Sequence, residues 1–427
     1  MGCLKIKTRL SKWVMPFIQP NSQSYRKDGP CVGLSIETKA QTDPNEQDAV
    51  YDVMRAMGND WVTNISDICH HRWHGIECVR DTRNVYHIVS LSFGTLSDET
   101  AFPPCKHEGC SISKSIIKLR YIKNLFFYRC FSHNPQQIPP YLGDLGPSLQ
   151  RLVLRESGLV GPIPSQLGNL IGLKVLDLHG NYLNGPIPDS LARLFNLRSL
   201  DLSRNKLMGP VPGLDSPTLE VLNLGCNMLS STIPSSIGSC NSLIKLDLSH
   251  NHLNGVLPKS LGNLRSLIMM DLSYNRFFGP LPYSIRSLIS LEALILEGNP
   301  MWNTPLRSGE FEGMKSLAIL VLSNMGLKGP IPESLGRLGK LRVMYLDGNN
   351  MSGSVPKNFK GLKELIELRL NDNRLSGPIP LGKQRLWKMR RNIRLQNNMG
   401  LCYKDDKFEQ DSALSLELGV DSCNSHG

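Results

Sequence analysis

The chain has 427 residues, with 48 Lys and Arg against 37 Asp and Glu, 11 Cys, 37 Gly and 28 Pro. A hydrophobic share of 40% supplies a core and excludes general disorder, and no run approaches the ~20 apolar residues that cross a bilayer. The net charge of +11 is local: residues 1–40 hold seven bases and two acids, residues 381–396 hold six bases and no acid, and the remainder is balanced. That distribution is not the basic face of a nucleic-acid-binding domain.

Residues 1–42 read as a poorly ordered leader of doubtful authenticity. Its apolar stretch Trp13-Val14-Met15-Pro16-Phe17-Ile18 is short and broken by proline, unlike a signal peptide. Met1-Gly2-Cys3 suggests acylation, but Ile6 stands where myristoylation needs Ser or Thr. The expectation is that the true leader is encoded upstream. Residues 43–85 read as an N-terminal cap, in which Asp43-Pro44-Asn45-Glu46 opens an amphipathic helix over 43–60. Cys69 and Cys78 enclose Trp73-His74-Gly75-Ile76. Residues 86–150 carry irregular first coils around Val89-Ser90-Leu91-Ser92-Phe93 and Asn124-Leu125-Phe126-Phe127.

From 151 to 400 the text repeats. The strings LVL, LDL, LDL, LNL, LDL, MDL, LIL, LVL, MYL, LRL and IRL begin at 152, 176, 200, 222, 246, 270, 294, 320, 344, 368 and 393. The unit is L-x-x-L-x-L-x-x-N-x-L-x-G-x-I-P, as in 173–188, a leucine-rich repeat whose ending resembles the plant extracellular type. Alternate leucines point inward at strand period, and stacked coils pair their strands in a parallel concave sheet. The fold class is therefore α/β: a leucine-rich-repeat solenoid with a short 3-10 or irregular convex side and disulfide-stapled caps, since stacked coils need capped ends. Asn ends the strand turn at 181, 205, 227, 251, 275, 299, 349, 373 and 398, where its amide can satisfy buried backbone groups. Ser157 and Met325 replace it, so a looser ladder is expected there. Residues 401–427 form the C-terminal cap and tail.

Extracellular cysteine use pairs Cys69 with Cys78 and Cys402 with Cys423. Cys105, Cys110 and Cys130 offer one bridge with one left over; Cys105–Cys130 is favoured. Cys240 replaces a core leucine and reads as a buried thiol, whereas Cys226 reads as a solvent-facing free thiol. Asn64 and Asn350 head N-x-[ST] glycan acceptors.

Strand positions facing out form columns. Asp177, Asp201, Asn223, Asp247 and Asp271 stack, so their carboxylates are candidates for a basic ligand or cation; the bland alternative is that L-D-L-S is favoured repeat text. Neighbouring columns hold His179, Arg204, His250, Tyr274, Asn324, Tyr345, Arg369 and Asp372, among which aromatic and Arg residues on a rigid sheet are typical anchors. The stretch 299–312 breaks the repeat and offers Trp302 as a projecting anchor. The basic run 383–391 reads as a protein-contact or cell-wall-facing surface. No phosphate-cradling glycine loop, G-x-S-x-G, H-E-x-x-H or kinase motif set occurs, so neither enzyme nor cofactor is expected. His70, His71 and His74 beside Cys69 and Cys78 suggest zinc less well than a disulfide cap.

Several non-repeat strings are specific: Asp43-Pro44-Asn45-Glu46-Gln47-Asp48-Ala49-Val50-Tyr51-Asp52, Arg72-Trp73-His74-Gly75-Ile76-Glu77-Cys78, Phe126-Phe127-Tyr128-Arg129-Cys130 and Trp387-Lys388-Met389-Arg390-Arg391. On these, over about 43–404, the chain resembles the Too Many Mouths family of plant receptor-like proteins. The resemblance implies a kinase-less cell-surface receptor that pairs with ERECTA-type receptor kinases. Together they would recognise secreted cysteine-rich epidermal patterning peptides and regulate stomatal patterning on the extracellular side of the plasma membrane. Family members carry a leader and a hydrophobic tail that this sequence does not show, so attachment rests on an anchor not visible here. A secreted inhibitor of microbial wall-degrading enzymes is the competing expectation.

Overall fold

A computed structural model describes residues 40–71, 73–97, 100–105, 109–301, 304–404 and 412–423. Helix α1, Pro44–Ala56, starts because the Asp43 carboxylate accepts the backbone N–H groups of Asn45 (2.9 Å) and Glu46 (3.1 Å). Its Val50, Val53 and Met54 face are fully buried against the first coils. Glu46 leaves α1 on the same side and is buried, so its carboxylate must be satisfied. One oxygen meets His87 Nδ1 at 2.9 Å and the other accepts the Ile88 N–H at 2.8 Å.

The coils follow the repeat text. In one unit, strand Val175–Asp177 is followed by a turn at Asn181, a lateral strand Tyr182–Gly185 and a 3-10 turn Asp189–Arg193. The strands pair in parallel, with Leu176 beside Leu200, Leu222, Leu246 and Met270 in successive coils. One sixteen-stranded sheet thus lines the concave side among the described residues, and the leucines behind it form a single continuous core.

Between coils the Asn side chains close the ladder. Asn251 Nδ2 donates to the carbonyls of Leu224 (3.0 Å) and Leu248 (3.1 Å), while its Oδ1 accepts the Leu229 N–H at 2.9 Å. Contrary to the looser ladder expected at Ser157, this buried hydroxyl donates toward Phe127 O (3.1 Å) and accepts the Cys130 N–H (3.3 Å). At Met325 the position turns apolar and fully buried, and Asn349 of the next coil accepts the Met325 N–H at 3.0 Å. Around this coil the lateral sheet is interrupted. One part runs from Val160–Pro162 to Arg276–Phe277 and another from Lys328–Gly329 to Gly400–Tyr403.

Disulfides join Cys69 to Cys78, Cys105 to Cys130 and Cys402 to Cys423. Cys240 is buried within the core, which pushes its thiol pKa up, and Cys110 is also a buried thiol. Cys226 is disulfide-bonded, which corrects the reading of a free thiol there. The stack ends in helix α2, Lys383–Met389, and helix α3, Ser412–Leu418, whose Leu414 and Leu418 close the core.

Candidate functional site: the concave face

The N-terminal end of the concave sheet is covered. Phe126, Tyr128 and Val153 point away from the leucine core yet are buried, because Phe102 packs on them. The segment carrying Phe102 is tied down by the Gly94 N–H donating to Pro103 O (3.0 Å) and by the Cys105–Cys130 bridge. Gly94 is required here: its φ is +86°, and a Cβ would meet Tyr128 O at 1.8 Å. The open face therefore begins near Arg155.

From Arg155 to Asp271 the outward column is polar but closed on itself. Asp247 is fully buried, and Asp177 and Asp271 are nearly so. Each carboxylate turns back on its own chain. Asp247 Oδ1 accepts the Ser249 hydroxyl at 2.6 Å and its N–H at 3.2 Å; Asp271 and Asp201 do the same with Ser273 and Ser203. This is an Asx turn completed by the following serine. Of the two readings of the column, these bonds favour the second: L-D-L-S is a self-satisfied turn whose Asp side chains already bond their own chain. Arg155 bonds Asp177 at 2.9 Å, His179 lies 3.8 Å from Asp201, and Asn223 donates to Asp201 at 3.0 Å. Burial, with Asp201 beside it, pushes Asp177 up to about 6 against the opposing pull of Arg155. For Asp201 burial also raises the value, but the hydrogen bonds and charge of His179 and the Ser203 bonds outweigh it and hold the carboxyl at about 2.

Beyond Asp271 the column changes to Ile295, Val321, Tyr345 and Arg369, and the serine column acquires Glu297 and Asp347. Tyr274 is 40% exposed, donates its hydroxyl to Glu297 Oε1 at 2.7 Å, and stacks on His250 at 4.4 Å. Arg369 lies 4.0 Å above the Tyr345 ring and 3.1 Å from Glu367. Burial chiefly raises the Glu297 carboxyl, with Asp347 adding to the rise and Arg369 opposing it. Tyr274 and His250 sit at φ of 53° and 54°, a left-handed conformation that costs a non-glycine residue about 1–2 kcal/mol. Gly180, Gly298 and Gly348 occupy the same step in other coils without that cost. Tyr274 with Glu297 and Tyr345 with Arg369 thus make two contacts linked by charge into one polar-aromatic cluster, in which Tyr274 is exposed and the others are half-buried. Glu297 and Asp347 belong to it and were not singled out from sequence, although each stands where the repeat text has Ser.

Trp302 lies outside the described residues. Asn64 is exposed at the end of a 3-10 turn, and Asn350 is half-buried on a lateral strand. Among the described residues no group of three or more His, Cys, Asp or Glu side chains is placed to hold a metal ion.

Models of the leucine rich repeat match residues 147–207, 217–277 and 340–362. The chain folds as a plant-type leucine-rich-repeat solenoid. Protein TOO MANY MOUTHS of Arabidopsis thaliana is 59% identical over 149 residues, 35% of this chain and 30% of that protein. Receptor like protein 29 of the same plant is 34% identical over 148 residues, 33% of this chain and 31% of that protein. The resemblance to the Too Many Mouths family is carried by the first of these matches, and the matched stretches span under a third of either relative. The crystal structure of PEPR1-AtPEP1 is similar at a TM-score of 0.63 and 28% identity, over 84% of this chain and 52% of that one. A plant ice-binding protein is also similar, at a TM-score of 0.57 and 26% identity, over 91% of this chain and all (100%) of that one. The solenoid alone therefore does not assign a function.

Proposed function

We propose that this solenoid is the recognition part of a non-catalytic cell-surface receptor-like protein, which pairs with ERECTA-type receptor kinases. Together they recognise secreted cysteine-rich epidermal patterning peptides and regulate stomatal patterning on the extracellular side of the plasma membrane. The 59% identity to Protein TOO MANY MOUTHS over 149 residues carries this reading. The concave face supports it. A rigid sheet with its N-terminal end covered and a partly exposed Tyr274–Glu297–Tyr345–Arg369 cluster farther along presents preorganised anchors, which lowers the entropy lost on assembly. Signal output would come from the kinase partner.

The test is capture of an ERECTA-type ectodomain by this chain, with and without a patterning peptide. Binding in at least one condition is expected, weakened by Arg369→Ala. Absence of binding in both overturns the reading, and inhibition of a polygalacturonase would favour the wall-enzyme inhibitor instead.

A further inference from the structure

The convex side divides sharply by charge. In the turns between 140 and 243 it carries one base, Arg193, and three acids, Asp144, Asp189 and Asp215, with Ile171 and Phe195 exposed between them. Across the last four coils the same side changes character. Lys315, Arg337, Lys340, Lys360, Lys363 and Lys388 are all exposed on successive turns. Glu312, Glu333 and Glu364 share the face, and Glu312 is held by Arg337 at 3.5 Å. A cleft of about 420 Å³ opens within this patch, lined by Lys315, Arg337, Lys340 and Glu312. Within the solenoid the sequence placed the excess charge in 381–396; the fold extends it into a stripe along the solenoid axis.

We infer that this convex stripe is a docking surface for an acidic polysaccharide, a linear polyuronate whose repeated carboxylates run along the stack. Three features favour that class of partner. An extended polyanion lying along the axis meets fresh cations at each coil, which a compact ligand does not. Proteins that bind single-stranded nucleic acid stack its bases on aromatic side chains; here Trp387 is half-buried with Arg390 5.0 Å from its centre, and Tyr283, exposed at the margin beside Glu312, is covered by Arg286 at 4.3 Å. A membrane-surface element pairs its bases with an exposed apolar wedge; among the described residues of this end the exposed large apolar side chains are Ile366, Met399 and Leu416, which stand before strand Glu367–Arg369, after strand Ile393–Arg394 and on α3, not in the turns that carry the bases. Anionic lipids also belong to the cytoplasmic leaflet, whereas the bridges Cys69–Cys78, Cys105–Cys130 and Cys402–Cys423, with Cys226 also disulfide-bonded, fit an oxidising compartment. The surface lies opposite the concave cluster, so a polysaccharide-bound chain keeps its recognition face free. The inference shares only the extracellular placement with the proposed function, and its test needs neither kinase nor peptide.

The experiment is biolayer interferometry of the full chain on immobilised de-esterified polygalacturonate over a salt series. Expected is binding that weakens steadily with salt, as released counterions require. The triple variant Lys340→Glu, Lys363→Glu, Lys388→Glu should lose roughly tenfold or more in affinity, while the three Lys→Arg replacements retain it. A control that reverses Lys174, Lys206 and Arg276, all exposed but off the convex side, should bind like the parent. Thermal unfolding checks that each variant is folded. No binding, equal binding to fully methyl-esterified polymer, or equal loss in the control overturns the inference. Tighter binding to phosphatidylserine vesicles, or equal binding to polyglutamate, overturns it in favour of a membrane or of unselective charge attraction.

Discussion

The two halves of the concave face use the same backbone in opposite ways. From 177 to 273 each Asp accepts from the residue two positions on, the His179 N–H for Asp177 and a Ser for Asp201, Asp247 and Asp271, so these side chains serve the turn beneath them. From 274 to 369 the repeat text lapses: Tyr274 bonds Glu297 and Arg369 covers Tyr345 across coils, and the charges of Arg369 and Asp347 act on Glu297 between the two pairs. Consensus positions on a solenoid are therefore the least available to a partner, because the chain consumes their hydrogen-bonding capacity. Departures from consensus mark the surface left for recognition.

Breaking the shared frame should have the largest effect. Asn251→Ala removes an amide bonded to Leu224 O, Leu248 O and the Leu229 N–H in the core. Unpaired buried backbone groups put the expected loss at about 2–4 kcal/mol by denaturant titration. A loss under about 0.5 kcal/mol would mean that water or relaxation replaces the ladder. Asp247→Ala belongs on the same side of the comparison. It should destabilise by about 1–3 kcal/mol, with partner affinity unchanged in the folded protein.

The opposite behaviour is expected in the second half. Tyr345→Ala and Arg369→Ala should each lower affinity for the receptor partner by about 1–2 kcal/mol. Stability should stay within about 0.5 kcal/mol of the parent, since Arg369 and Tyr345 are both partly exposed and outside the leucine core. If affinity falls for Asp247→Ala and holds for Arg369→Ala, the assignment of roles to the two halves is reversed.

The solenoid was legible because the repeat encodes it redundantly. Leu176, Leu200, Leu222 and Leu246 each vote for the same strand and register, and Asn181 to Asn398 mark the turns. The site was only half legible. Tyr274, Tyr345 and Arg369 stood out as anchors by chemistry alone, but alternation assigns a side, not an exposure, so for the Asp column both the ligand site and the plain repeat text stayed open. Its closure depends on a bond to the residue two positions later, which the L-D-L-S text contains but periodicity does not weigh. Covering of Phe126 and Tyr128 by Phe102 depends on a segment outside the repeat, and no repeat pattern carries it.

The smallest effect tests the closed half by pH. Burial beside Asp201 raises the Asp177 carboxyl to about 6, whereas an unfolded Asp titrates near ~3.9. Between those values the folded chain binds a proton that the unfolded chain has lost. Stability from this group is therefore full below about pH 4 and declines as pH rises toward 6. Asp201, held at about 2, has the opposite sign, contributing above pH 4 and losing that contribution in stronger acid. Thermal unfolding across this range should show the parent losing roughly 1–2 kcal/mol relative to Asp177→Asn as pH rises from about 4 to 6. Parallel profiles for parent and variant would show that Arg155, 2.9 Å away, keeps Asp177 ionised throughout. The Asp column would then be a set of independent turns rather than a coupled ladder.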